Sequence, residues 1–423
     1  MDVSELGIIE IDETPPPLDL TPADIEALAE DLRQDHAECA PLYDRQEQAH
    51  WGEKYLQGLM LPRERTSIAP MALALDGGTS QAMQQFSGQG QWQAEAVLPQ
   101  PWRLVNATLG ATDGVCSIES SECPTQGEPA VGVARQGCGR LGTVDHCQSG
   151  VCAAYARRTG YTLLDRRLSL PDEWFDAAHR ERWHTCGVPA TTSCKTKPRL
   201  ALDMLQALET ADCLRLRWVT CEEAVGRAGA FLDRVAALRR WDFAAVPRHT
   251  QGWLRRPATA VPTGAGRGRR SRQARLVSGA PAPQRVAQLA AAVPPDAWQA
   301  LLITEGRKGP LVAECAFQRG GAVRAGLPGP AVWVVWRRTW GETPELTVSL
   351  RNAPGHLPVT MLVRMAGRRW PIATAFEESQ GGVGLDHYEV RSWLGWHHHM
   401  TLCLLAHHVL VRPRRRRKRG RRR

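Results

Sequence analysis

Val131–Val151 reads VGVARQGCGRLGTVDHCQSGV, and two further stretches belong with it: Trp218–Glu223, WVTCEE, and Arg369–Glu378, RWPIATAFEE. The first stretch decides between two folds. Gly137-Cys138-Gly139-Arg140-Leu141-Gly142 has the form G-x-G-x-x-G, and Asp165 follows a little over twenty residues later. A dinucleotide site needs a helix to open at those glycines, so that its N-terminus faces the pyrophosphate. Thr143–Cys147 is instead strand-like, so the glycines mark a turn between two strands.

Working outward, Val115–Ser120, Val131–Arg135, Cys147–Ala156 and Tyr161–Leu168 read as strands, with Arg158-Thr159-Gly160 as the turn between the last two. Lys197–Ala211 follows as a helix with Leu200, Met204, Leu205 and Leu208 on one face. Arg215–Thr220 is then a strand, Arg227–Leu238 a helix and Phe243–Val246 a strand. Three strands in hairpin order, then alternating helix and strand, is the order of a mixed α/β core. Upstream, Thr21-Pro22-Ala23-Asp24 is a helix start, with Thr at the N-cap, Pro at the first position and an acid at the third. Arg45–Leu61, Gln81–Phe86 and Trp92–Leu98 add further helices. Downstream, Arg255–Pro283 is a Pro/Gly/Arg-rich linker. Ala300–Thr304, Pro310–Phe317, Ala331–Arg337 and Glu345–Leu350 read as strands, and Val359–Arg368, Ile372–Gln380 and Leu394–Val411 as helices.

Composition excludes several classes. No run approaches the ~18 apolar residues of a membrane span, and the acidic start MDVSELGIIEIDETPPP has no basic-then-apolar leader, so neither a membrane partner nor export is expected. The twelve cysteines are scattered with no Cys-x-x-Cys pair, the pattern of reduced, partly buried thiols rather than of disulfides or zinc. His399, Cys403 and His407 recur every four residues beside His397, His398 and His408. Positions four apart on a helix rise about 6 Å, so one ion cannot bridge all three, and a half-buried helix face is the better reading. Of the formal net charge of +9, ten basic residues lie in Arg412–Arg423, RPRRRRKRGRRR, so the rest of the chain is close to neutral. Arg267, Arg269, Arg270, Arg272 and Arg275 form a second cluster. Basic blocks of this kind grip polyanions by releasing counterions, without reading sequence, although such runs are often only solvating tails.

The three quoted stretches resemble, in order and spacing, segments of the transposases of bacterial insertion sequences. More narrowly they resemble insertion-sequence family seven-oh-one, a branch of the Asp-Asp-Glu (DDE) superfamily. The resemblance runs from about Tyr55 to Val411. It implies an RNase H-like mixed α/β core with a β-rich insertion, preceded by a helical N-terminal domain. The implied division is a helical, DNA-binding region over 1–108, the first part of the core over 109–250, and the linker and insertion over 251–345. The rest of the core, with the third-acid helix, spans 346–411, and a disordered basic tail spans 412–423.

It also implies two Mg²⁺ (or Mn²⁺) ions flanking a DNA phosphodiester, held by three acids. Carried over by position, the first acid falls at Glu119, where the family has Asp, and the second at Glu222, again in place of Asp. The third falls at Ala373, where the family has Glu. A Glu in place of Asp moves the carboxylate by roughly 1.5 Å against a tolerance of ~0.5 Å, and Ala removes a ligand outright. Glu119 and Glu222 are thus the implied metal ligands, and Glu377, four residues on from Ala373, is the alternative third acid, with Glu378 beside it. The expectation is a transposase-like protein whose metal binding and strand cleavage are impaired. The alternative is an inactive DNA-binding protein or an inhibitor of active transposases; a decayed gene product is a third reading. The implied partners are double-stranded DNA, as element ends and target, and a second copy of the chain in a synaptic complex, in a cytoplasmic, nucleoid-associated setting. Arg369, Arg267, Arg269, Arg270, Arg414, Arg415, Arg416, Arg417 and Lys418 are the expected phosphate contacts.

Overall fold

The computed structural model describes residues 9–10, 21–61, 67–124, 130–138, 141–157, 159–261, 274–306, 309–340, 344–367, 370–387 and 391–420. Its first half runs β1 (Ile9–Glu10), α1 (Pro22–Cys39), α2 (Gln46–Met60), α3 (Ile68–Ala74), α4 (Ser80–Gly88), α5 (Ala94–Val97), α6 (Pro99–Leu109), β2 (Val115–Pro124), β3 (Val133–Cys138), β4 (Thr143–Arg157), β5 (Gly160–Ser169), α7 (Arg180–Thr185) and α8 (Lys197–Ala211). There follow β6 (Trp218–Cys221), α9 (Glu223–Gly226), α10 (Gly229–Ala237), β7 (Trp241–Val246), β8 (Gln251–Trp253), β9 (Thr259–Ala260), β10 (Arg275–Leu276), β11 (Gln284–Arg285) and α11 (Val286–Leu289). The last stretch holds β12 (Gln299–Gly306), β13 (Gly309–Arg324), β14 (Leu327–Thr339), β15 (Leu346–Arg351), α12 (Val359–Gly367), α13 (Trp370–Val383) and α14 (Trp393–Gly420). The chain divides into two compact units. One, the helical unit, comprises Pro15–Arg217 with Trp370–Arg423; the other, the strand unit, comprises Met1–Thr14 with Trp218–Arg369.

In the helical unit, α1 starts as its sequence dictates. The Asp24 backbone N–H donates to Thr21 Oγ1 (3.2 Å) while the Thr21 N–H donates to Asp24 Oδ2 (2.9 Å), a reciprocal cap that satisfies two otherwise orphaned donors. The sheet is antiparallel. β4 pairs with β2 along one edge and with β3 and then β5 along the other. The glycine-rich stretch turns β3 into β4, pairing Cys138 with Thr143, and Gly142 takes φ +67. A hairpin, not a helix, follows the glycines. Periodicity does not single out α6, because Pro99 and Pro101 interrupt it; both sit in the first turn, where a missing N–H costs nothing.

The axis of this unit is α14, which packs on β5, α1, α2, α4, α5, α6 and α13. Trp396 and every residue from His398 to Val409 are buried. The histidine face expected to be half-buried is therefore wholly buried, and partners replace water. The His398 ring stacks on Trp92 at 3.7 Å. His399 Nδ1 lies 2.9 Å from the Tyr55 hydroxyl and its Nε2 lies 3.1 Å from the Gly384 carbonyl. These partners assign one neutral tautomer, with Nε2–H donating to the carbonyl and Nδ1 accepting from the phenol. The backbone of α14 stays helical past Val411 to Gly420, and residues 421–423 lie outside the described residues. All twelve cysteines are free thiols and ten are buried. Burial pushes the Cys152 thiol up to about 12, the state of an inert thiol.

The strand unit carries a large mixed sheet. β1 pairs parallel with β12; β12, β13, β14, β15 and β7 then pair antiparallel in succession, and β7 pairs parallel with β6. β13 and β14 are longer than expected, since the sequence pattern breaks at Gly320-Gly321. A Cβ at Gly320 would stand 2.5 Å from the Trp253 carbonyl of β8, so glycine marks the close approach of a second strand. Ala325 and Gly326, at φ +50 and +76, close the β13–β14 hairpin as a two-residue turn requires. Val246, Val286, Val334, Trp336, Val348 and Leu350 form the main apolar cluster, where the Trp336 indole donates to the Val286 carbonyl at 2.7 Å. At the edge of the linker, β9 and β10 pair antiparallel; residues 262–273 lie outside the described residues.

Desolvation lowers the His399 pKa from 6.5 to about 4. A histidine held neutral in the fold gives no penalty above its unfolded pKa, and the unfolded chain alone gains the proton as pH falls. Stability is expected to decline from pH ~6.5 to ~4 by about 3 kcal/mol on account of this residue. His399→Gln, which keeps a donor and an acceptor, should flatten that part of the denaturation-midpoint profile; an unchanged slope would show that His399 is not the titrating group.

Candidate functional site

In the helical unit β2 is buried from Val115 to Ile118 and half-buried from Glu119 to Glu122, so Glu119 stands where the strand emerges from the core. It pairs across from Cys152 of β4. Three residues on, the Glu122 carboxylate accepts from Lys197 Nζ at 3.2 Å. The helix α13, with position 373 in its first turn, packs on β4 and β5. The Tyr161 hydroxyl of β5 donates to Glu378 Oε1 at 2.9 Å, which ties that carboxylate to the sheet. Sequence reading had no signal for Tyr161, whose partner is more than two hundred residues away. The side chains of Ala373 and Glu377 lie outside the described residues.

In the strand unit all four residues of β6 are buried, and Trp218 meets Trp241 of β7 edge-on at 5.0 Å. Glu222 follows at once, at the carboxyl end of the parallel β6–β7 pair. It is half-buried, its backbone is extended (φ −73, ψ 174), and its carbonyl accepts from the Gly226 N–H at 2.8 Å to open α9. The partner strand β7 is fixed by an exchange of two bonds: the Asp242 N–H donates to Asn352 Oδ1 (2.8 Å), and the Asn352 N–H donates to Asp242 Oδ1 (3.1 Å). Burial pushes the Asp242 carboxyl up to about 7. Glu119 thus lies midway along β2 in its unit, and Glu222 directly follows β6 in the other.

A pair of divalent ions needs near-octahedral oxygen ligands and acids placed to fractions of an ångström. The residues present do not meet that need. Position 373 offers a methyl group, Glu378 is engaged by Tyr161, and among the described residues no three His, Cys, Asp or Glu side chains gather where a metal could be held.

Of the expected phosphate contacts, Arg267, Arg269, Arg270 and Arg369 lie outside the described residues, as do the side chains of Arg414–Lys418. Arg412, which opens the basic run, is bound to Asp35 and lies 3.9 Å from Asp31 of α1, so its charge is spent within the fold. A different set of basic residues, Arg227, Arg285 and Arg324 with the imidazole of His249, surrounds a cavity of about 630 Å³ in the strand unit. The sequence reading passed over all four.

A family model described as DDE superfamily endonuclease matches residues 38–310, well over half of the 423. A search of curated proteins gave no significant match. Among the described residues no helix is long and apolar enough to cross a membrane.

A Cβ at Gly226 would stand 2.2 Å from the Ala245 carbonyl of β7, a backbone atom that cannot step aside alone. Gly226→Ala is therefore expected to destabilise the strand unit by roughly 1–3 kcal/mol, read as a lower denaturant midpoint, and to disturb Glu222 one short helix away. A midpoint within error of the parent would show that α9 shifts freely.

Proposed function

This chain belongs to the DDE superfamily endonucleases, and from that premise we propose that it descends from the transposase of a bacterial insertion sequence of the family seven-oh-one type. In this reading it still binds DNA and has lost most of its capacity to cut it. Families of this class cleave DNA and typically use divalent metal ions. The observation that carries the loss is Ala373 at the third acid position, with Glu378 already committed to Tyr161.

The order of elements supports an RNase H-like core: antiparallel strands β2, β4 and β5 in hairpin sequence, then helix α8, strand β6, helices α9 and α10, and strand β7 parallel to β6. The strands β12 to β14 fit a β-rich insertion ahead of the third-acid helix α13. Glu119 and Glu222 are then residual ligands. Two carboxylates without the third can hold an ion weakly but cannot clamp both the attacking and the leaving oxygen, which is what a two-metal displacement requires. Helices α1 to α6 are the proposed DNA-binding region, and the basic run after Arg412 adds affinity that falls steeply with salt.

Supercoiled-plasmid nicking in Mg²⁺ and in Mn²⁺ tests this. The unmodified chain is expected to bind DNA and leave it closed, while Glu119→Asp with Glu222→Asp and Ala373→Glu restores nicking. Nicking by the unmodified chain that Glu119→Ala and Glu222→Ala abolish would overturn the proposed loss; nicking that survives those changes would overturn the acid assignment.

A further inference from the structure

Arg227, His249, Arg285 and Arg324 come from four separated stretches that the strand pairing of this unit gathers. β8 is flanked by β11 and β13, with Arg285 opposite Gln251 and Ala322 opposite Gly252, two residues before Arg324. The link between α9 and α10 supplies Arg227, and the turn from β7 to β8 supplies His249. Between them lies the cavity of about 630 Å³, floored by Leu232, Val246 and Leu350 and edged by Thr250 and Gln251. Among the described residues no acidic side chain lines it. Asp233, outside the lining, holds the Arg324 guanidinium at 3.0 Å and fixes its direction. Gly229, at the start of α10, lets that guanidinium lie close: a Cβ there would stand 3.1 Å from Arg324 Cδ.

We propose that this cavity is a binding site for the sugar-phosphate backbone of DNA, a contact additional to the basic tail and linker. The inference rests on the reading that the chain binds DNA, and deepens it. Convergent arginines with hydroxyl and amide donors at the rim are the chemistry that recognises phosphate. The volume is of the order that takes a nucleotide-sized group, and Arg227, His249 and Arg285 are exposed, so a continuous strand can cross the opening. Among the described residues no Phe, Tyr or Trp lines it to stack on bases. The contact therefore holds the backbone without reading sequence.

The test is fluorescence anisotropy of a short labelled duplex with the full chain over a range of salt. Arg227→Ala with Arg285→Ala should weaken binding on the order of tenfold and lower the salt slope by about two. Arg227→Lys with Arg285→Lys should recover most of the affinity, and Arg180→Ala with Arg215→Ala, two exposed arginines of the helical unit, should change little. Equal losses in the Lys pair, or in the control pair, would overturn the site, as would an alanine pair that binds like the parent. If the alanine pair loses only competition by inorganic phosphate while duplex binding stays, the cavity takes free anions and not DNA. If the unmodified chain binds no duplex at all, the DNA-binding reading itself has failed, which the parent titration alone reveals.

Discussion

His398 and His399 sit in the second turn of α14 with no exposed surface, and the helical unit depends on the partners their rings meet. A buried polar group without a partner costs about 1–3 kcal/mol, so each ring must meet a donor or acceptor brought by another element. His398 lies between the Ser87 and Trp92 carbonyls, to one of which its single N–H donates; His399 meets Tyr55 and Gly384, His407 meets Thr162 at 3.2 Å and His408 meets Thr108 at 3.2 Å. Those partners lie on or beside α2, α4, α6, α13 and β5. One helix thereby registers three helices of the N-terminal region and one strand of the sheet. Apolar packing around it gives adhesion; the histidines give position.

The strand unit solves the matching problem for Glu222 by different means. β6 is four buried residues long and carries no charged side chain, and Glu222 follows it at once, half-buried. Its partner β7 is held by the Asp242–Asn352 exchange, and Arg351 beside it is wholly buried, with its guanidinium 3.8 Å from the Phe243 ring centre and donating to the Leu362 carbonyl. The scaffold around Glu222 is thus tightly specified.

Where local rules govern, the sequence was readable. The Thr21 cap and α8, Lys197–Ala211, fall where capping and periodicity place them, and the hairpin reading of Gly137–Gly142 followed from what succeeds the glycines. Reading failed where the cause is distant. The strands β13 and β14 run past Gly320-Gly321 because β8 lies against them. The expected single helix over Arg227–Leu238 begins instead at Gly229, after a separate turn that ends at Gly226 under the Ala245 carbonyl. The histidines carried no mark of complete burial, because partners such as Ser87 and Tyr55 are 311 and 344 residues away. The acid positions came from resemblance to other sequences, and the arginines around the cavity, spread from Arg227 to Arg324, had no pattern to betray them.

The helical unit is assembled from chain on both sides of the strand unit: its α8 ends at Ala211, and α13 and α14 begin only at Trp370 and Trp393. Loop-closure entropy grows slowly with length, so joining segments on the order of 150 residues apart adds little to the equilibrium cost. The order of synthesis is another matter. Until α14 emerges from the ribosome, Tyr55, Trp92 and the inner face of β5 lack the helix that covers them. A message truncated within residues 218–369 would release a protein whose first domain has α1 to α8 and its strands but lacks α13 and the central α14, and whose exposed apolar surface makes it a substrate for chaperones and proteases.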